Sequence, residues 1–187
     1  MVPEAPLEQT ESGLVPSGEG WFVLNAREAR WFHRNGRGGH VIFEDEETEF
    51  QQVGVGLYVL GPGEPIGMYH WETDQEDFLV LSGEGLLLVE GGERPLRQWD
   101  FVHCPPGTKH IIVGASNPPC VVLAVGAREH QRGDFSGGYT VDEVALRHGA
   151  GVEQETTVGE EAYTDVPMRK ETRYAEGWLP GNGSASS

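Results

Sequence analysis

Four side chains with metal-ligand chemistry fall in the middle of the chain: His70, Glu72 and Glu76 close together, and His110 further on. Imidazole and carboxylate donors together bind Zn, Fe, Mn, Ni or Cu. Two histidines and one glutamate leave coordination positions for water or substrate. With zinc such a set activates water, and with Fe(II) it matches the two-His, one-carboxylate arrangement used on dioxygen. Glu72 as a fourth ligand makes the set richer in oxygen and shifts the balance towards Mn or Fe, away from Cu, without excluding Zn. Glu72 can instead stand beside the metal as a catalytic general base. The competing reading is structural: two satisfied core histidines, and a Glu72 paired with an arginine.

Positioning these groups requires strands. Met68, His70 and Glu72 alternate with Tyr69 and Trp71, and a period of two puts the first three on one face. Pro105, Pro106 and Gly107 specify a turn, since proline fixes φ and glycine allows positive φ. His110 follows that turn and opens a β-branched run, Ile111, Ile112 and Val113. By the same parity, Met68, Phe78, Val80 and Ile112 are the expected apolar pocket wall, with Tyr58 at its mouth. Further strands are expected at residues 21–24, 40–43, 53–60, 86–89, 94–99 and 120–126, with a glycine-paired hairpin turn at 90–93 and residues 100–104 leading into the turn before His110. Many short strands with no long helical period between them predict an all-β sandwich or barrel.

These residues resemble the two motifs of the cupin superfamily. The first, roughly G-x5-H-x-H-x3,4-E-x6-G, is matched by His70, Glu72 in place of the second histidine, Glu76 and Gly83. The second, roughly G-x5-P-x-G-x2-H-x3-N, is matched by Pro105, Gly107 and His110, with Trp99 at the opening glycine and Gly114 at the closing asparagine. The resemblance spans about residues 56–127. It implies a double-stranded β-helix, or jelly-roll barrel, enclosing one divalent metal ion (Zn, Fe or Mn) held by His70, Glu72, Glu76 and His110. It also implies a homodimer, and either a metal-dependent enzyme of oxygenase, isomerase or decarboxylase type acting on a small polar organic molecule, or a non-catalytic cupin that binds or senses a small ligand.

The remaining sequence frames that site. The 187 residues suffice for one core with appendages, and a net charge of −17 argues against nucleic acid and anionic membranes as partners. No apolar run reaches the ~20 residues that span a bilayer, and the N-terminus lacks the features of a secretory signal, so a cytoplasmic location is expected. Cys104 and Cys120 are expected as buried free thiols, Cys104 near the site. His33 and His40 read as surface histidines and His103 as a neighbour of the site at most. Residues 1–18 are expected to be a flexible arm, 19–132 the barrel, and 133–187 a tail. In the tail a joint at 133–139 precedes a short helix opened by a Thr140–Glu143 capping box and ended at Gly149, with His148 as a structural residue at its C-terminus. Tyr163, Tyr174, Trp178 and Leu179 are spaced anchors for the barrel or a second subunit, and residues 180–187 are expected to be disordered.

Overall fold

The computed structural model describes residues 1–45, 48–130 and 136–181. Among the described residues fourteen strands form in chain order: β1 (Leu7–Gln9), β2 (Leu14–Pro16), β3 (Trp31–His33), β4 (Gly39–Ile42), β5 (Val53–Leu60), β6 (His70–Glu72), β7 (Glu76–Ser82), β8 (Glu84–Val89), β9 (Gly92–Arg97), β10 (Phe101–Cys104), β11 (His110–Gly114), β12 (Cys120–Ala127), β13 (Gly137–Tyr139) and β14 (Lys170–Thr172). The helices are two short pieces, α1 (Glu143–Arg147) and α2 (Gly159–Ala162), both in the tail. No described helix is long and apolar enough to cross a membrane.

The strands pair antiparallel into a seven-stranded sheet, β10-β7-β12-β5-β4-β3-β14, and a five-stranded sheet, β13-β6-β11-β8-β9, beside the separate hairpin β1-β2. Alternate residues of both sheets meet in one core. Leu60, Phe78, Val80 and Val122 come from the larger sheet, and Leu87, Leu96 and Ile112 from the smaller. The intervening residues face outward and are covered as well. Leu88, Ile111 and Val113 pack on Tyr69, Ala145 and Ala150. Trp31, Val41, Val59 and Val121 pack beneath Tyr174, Trp178 and Leu179. Coverage on both faces explains why residues 86–89 and 111–113 read as unbroken apolar runs rather than an alternation. The result is a jelly-roll barrel wrapped by its own tail.

Several segments differ from the sequence expectation. Residues 7–16, within the expected flexible arm, form the β1–β2 hairpin, with Ala5, Ser12 and Val15 buried. Residues 21–24 make only a bridge at Trp21. Helix α1 is capped by Asp142, whose side chain accepts from the Ala145 N–H at 2.8 Å, and not by Thr140. The cause is β13: Tyr139 pairs with His70, so the chain is still extended where the predicted cap falls. Gly149, at φ +64°, ends the helical segment as expected, and His148 bonds Glu93 at 3.0 Å. The predicted barrel–tail boundary, residues 133–135 of the expected joint and residues 182–187 of the expected disordered end lie outside the described residues, while the rest of the expected joint is ordered by β13, which pairs with β6.

Candidate metal centre

His70 opens β6 and His110 opens β11, and these two residues are direct cross-strand partners. Opposed residues of an antiparallel pair point to the same face, so register alone sets the imidazoles side by side, with ring centroids 5.2 Å apart. Glu76 opens β7 in the other sheet. The link between β6 and β7 is tied down by buried Asp74, which accepts from the His130 backbone N–H at 2.9 Å and lies 2.6 Å from its Nδ1. The centre therefore sits where the rims of the two sheets meet.

The donor atoms converge. Glu76 Oε2 lies 3.3 Å from His70 Nε2 and 3.1 Å from His110 Nε2, and one donor atom from each of the three residues lies within 4.8 Å of the others. Donors ~2.1 Å from a shared ion and ~90–110° apart would be separated by roughly 3.0–3.4 Å. Both rings are oriented through their other nitrogen: His70 Nδ1 lies 2.8 Å from the Met68 carbonyl and His110 Nδ1 2.9 Å from that of Thr108. A carbonyl only accepts, so each Nδ1 carries a proton, and in the neutral ring the Nε2 lone pair faces the centre. Glu76 Oε2 and His110 Nε2 are buried, and neither makes a well-aligned hydrogen bond. Buried lone pairs aimed at one another are unfavourable unless a cation lies between them, so these three residues fit a divalent metal.

Without a metal, a proton takes the cation's place. Burial works against charge on both Glu76 and His110. It is outweighed at Glu76 by hydrogen bonding to His110 and His70, which holds the carboxyl well below its ordinary range. At His110 it is outweighed by hydrogen bonding to Cys104 and Glu76, which raises the imidazole.

Glu72 stands at the open side. Its Oε1 is 3.7 Å from His70 Nε2, but it is not one of the mutually convergent three. His110 is only 2 % exposed, whereas the Glu72 side chain is 23 % exposed. The centre is thus closed behind His110, where Phe78 meets the ring edge-on at 5.3 Å, and open beside Glu72.

A cavity of about 250 Å³ leads to it, lined among others by Tyr58, Ile66, Phe78, Ile112, Tyr139 and Tyr163. Tyr58, Phe78 and Ile112 are where the sequence places them. Met68 and Val80 are not part of this wall. Strand β6 begins only at His70 and the chain bends at Tyr69, so the alternation does not extend back to Met68, which packs outside the barrel with Val152 and Ala162. Val80 keeps the parity of Phe78 but lies deeper, in the closed core. Tyr139 and Tyr163 escape a reading of the barrel motifs because both belong to the tail. Tyr163 accepts from the Met68 N–H at 3.1 Å, and the two tyrosine rings meet edge-on at 5.9 Å. Burial, the largest influence, pushes Tyr58 and Tyr139 up to about 12, so both keep their hydroxyl protons.

A smaller recess of about 180 Å³ shares Tyr58, Glu72, Glu76 and Ala124 with this cavity and is floored by Gly54, Gly56 and Gly126. It ends at the Arg128–Glu44 ion pair. Cys104 lies against His110 but is outside the donor cluster. His103 faces outward, 2.6 Å from Asp77. His40 is half-buried rather than on the surface, stacked between Phe32 and Tyr58.

A two-sheet barrel with a His-Glu-His cluster at its rim defines a class of small β-barrel proteins, and residues 56–126 match the family model described as the cupin domain. The chain carries a cupin domain. Among solved structures it is similar to a double-stranded β-helix protein from Klebsiella pneumoniae (21 % identity, 51 % of this chain and 81 % of that one, TM-score 0.45). It is similar also to a cupin protein from Bacteroides fragilis (20 %, 52 % and 83 %, TM-score 0.44) and to the DMSP lyase DddQ from Ruegeria pomeroyi (20 %, 52 % and 50 %, TM-score 0.43). Comparison with curated proteins finds no match.

Proposed function

We propose that this protein is a metal-dependent cupin enzyme that binds one divalent ion, Zn, Fe or Mn, through His70, Glu76 and His110 and acts on a small polar organic molecule. The observation that carries this reading is the pair of buried, unsatisfied atoms, Glu76 Oε2 and His110 Nε2. When bound, the ion would supply Lewis-acid chemistry beside the cavity. The protein's own part is to hold the substrate between Tyr58, Phe78 and Tyr139 and to keep water from the His110 side. Glu72, accessible beside His70, moves a proton to or from the substrate.

Elemental analysis of protein purified without added metal tests this. About one equivalent is expected in the native chain and close to none in His110→Ala, because loss of one of three ligands leaves too few donors. Glu72→Gln should keep the metal and lose turnover. Native protein without metal would end the proposal. Tight binding of a small molecule recovered unchanged would favour the non-catalytic cupin. The homodimer belongs to the same proposal and is checked by light scattering.

A further inference from the structure

The sheet face that runs up to the cavity carries an unusual arrangement of positive charge. Cross-strand register places Glu171, Phe32, His40 and Tyr58 in one row, through the pairs Glu171↔Phe32, Phe32↔His40 and His40↔Tyr58. Phe32, His40 and Tyr58 stack ring on ring, at 5.3 and 5.5 Å, and Tyr58 lines the cavity. In the neighbouring row, β14 pairs Lys170 with His33, and Arg169 and Arg34 flank the end of this strand pair, one just before β14 and the other just after β3. Neither arginine has a carboxylate within 4 Å among the described residues, in a chain with 30 acidic and only 13 basic residues. The four acids that share a recess with Arg169 are engaged by other groups: Glu171 by Ser12 and Arg30, Asp45 by Arg30, and Glu44 and Glu49 by Arg128.

Both arginines face aromatic rings instead. The Arg34 guanidinium lies 4.7 Å from the centroid of Tyr163, a cavity residue, and Arg169 lies 4.8 Å from that of Phe32. His40 sits between their fields. Burial first, then Arg169, Arg34 and His33, bring it down to about 4, so the ring is neutral at neutral pH. Its nitrogens have no hydrogen-bond partner among the described residues. A neutral N–H donor between two uncompensated guanidinium groups is suited to an oxyanion.

We propose that Arg34, His40 and Arg169 form an anion-recognition element beside the metal cavity, so that the molecule held at the metal is a small organic acid or phosphate ester whose distal oxyanion is bound there. That the anion belongs to the occupant of the metal cavity rests on the function proposed above; the anion element itself does not.

Three probes sharing a chelating 2-hydroxycarboxylate end separate the two ideas: 2-hydroxybutyrate with no distal charge, malate with a distal carboxylate, and 3-phosphoglycerate with a distal phosphate. Each is titrated calorimetrically into the full-length protein, metal-loaded and chelator-treated, at low ionic strength. Malate or 3-phosphoglycerate, or both, should bind about tenfold or more tighter than 2-hydroxybutyrate, and the tighter of the two names the anion. Arg34→Gln and Arg169→Gln should each erase most of that gap while leaving 2-hydroxybutyrate unchanged, and Arg34→Lys should keep much of it. Metal dependence of 2-hydroxybutyrate binding reports on the metal centre alone, so either idea can fail separately. Equal affinities for the three probes, no binding by any, or a gap that survives both glutamine variants would overturn the anion element.

Discussion

His110 must serve an ion and a proton in turn, and the sign of each follows from its surroundings. In the metal-free protein, contact with Cys104 and Glu76 outweighs burial and raises its pKa from 6.5 to about 10. Protonated His110 thus stabilises the fold fully below about pH 6.5, and that contribution fades as pH rises through about 10. Contact with the two histidines outweighs burial at Glu76 and lowers it from 4.5 to about 2. Its contribution is present above about pH 4.5 and lost as pH falls through about 2. The metal-free protein should be most stable near pH 5–6 and lose on the order of a few kcal/mol towards either extreme. A metal ion needs the neutral imidazole and displaces its proton. The gap in melting temperature between metal-loaded and metal-free protein should therefore widen from pH 6 to pH 9, and calorimetry in buffers of different ionisation enthalpy should register about one proton released per ion. His110→Ala should abolish both effects. At this scale much was legible in the sequence. His70, Glu76 and His110 stand out by type and spacing, and the cupin motifs tie them together. Met68 was misplaced because parity counts residues and cannot see the bend at Tyr69.

Element boundaries followed apolar runs and turn residues, and the strands at 53–60 and 86–89 fall almost where those signals put them. Register is different. Whether His110 faces His70, or Phe32 faces His40, depends on which strands become neighbours, and no local pattern encodes that. His40 shows the consequence: beside a glycine-rich loop it reads as a surface histidine, whereas its register on β4 puts it in one row with Tyr58. Gly114 is a position whose meaning appears only with the sheet. It stands where the second motif often has asparagine, yet a Cβ there would lie 2.3 Å from the Gly61 carbonyl oxygen and 2.6 Å from that of Leu60. The backbone approaches so closely because the Gly63 N–H donates to the Gly114 carbonyl at 2.8 Å and the Gly114 N–H donates to the Glu64 carbonyl at 2.9 Å. Gly114→Ala must push the β5–β6 connection away from β11. It should cost about 2–3 kcal/mol in denaturant unfolding, and part of the effect should reach the metal centre through Ile66, which bonds Ile112 and lines the cavity.

Across the whole molecule, the tail does two jobs that its sequence only half announces. Tyr163, Tyr174, Trp178 and Leu179 are recognisable as anchors because large rings in a polar stretch need burial. Their destinations are not recognisable, and they part company: Tyr163 goes to the cavity, and the other three cover the outer face of the larger sheet. There Trp178 meets Trp31 at 4.9 Å, and its ring occupies the space above Gly39, where a Cβ would come within 2.9 Å of it. Glycine on β4 and tryptophan in the tail are thus one packing unit formed by parts of the chain far apart in sequence. Trp178→Ala should destabilise by about 2–3 kcal/mol, less than for a fully enclosed aromatic, since Trp178 is only half-buried. Gly39→Ala should cost about 1–3 kcal/mol in the native chain by overpacking. In the Trp178→Ala background the clashing ring is gone, so the same substitution should cost much less, an interaction of about 1 kcal/mol or more in a double-mutant cycle. Equal costs in the two backgrounds would mean that the tail does not rest on this face.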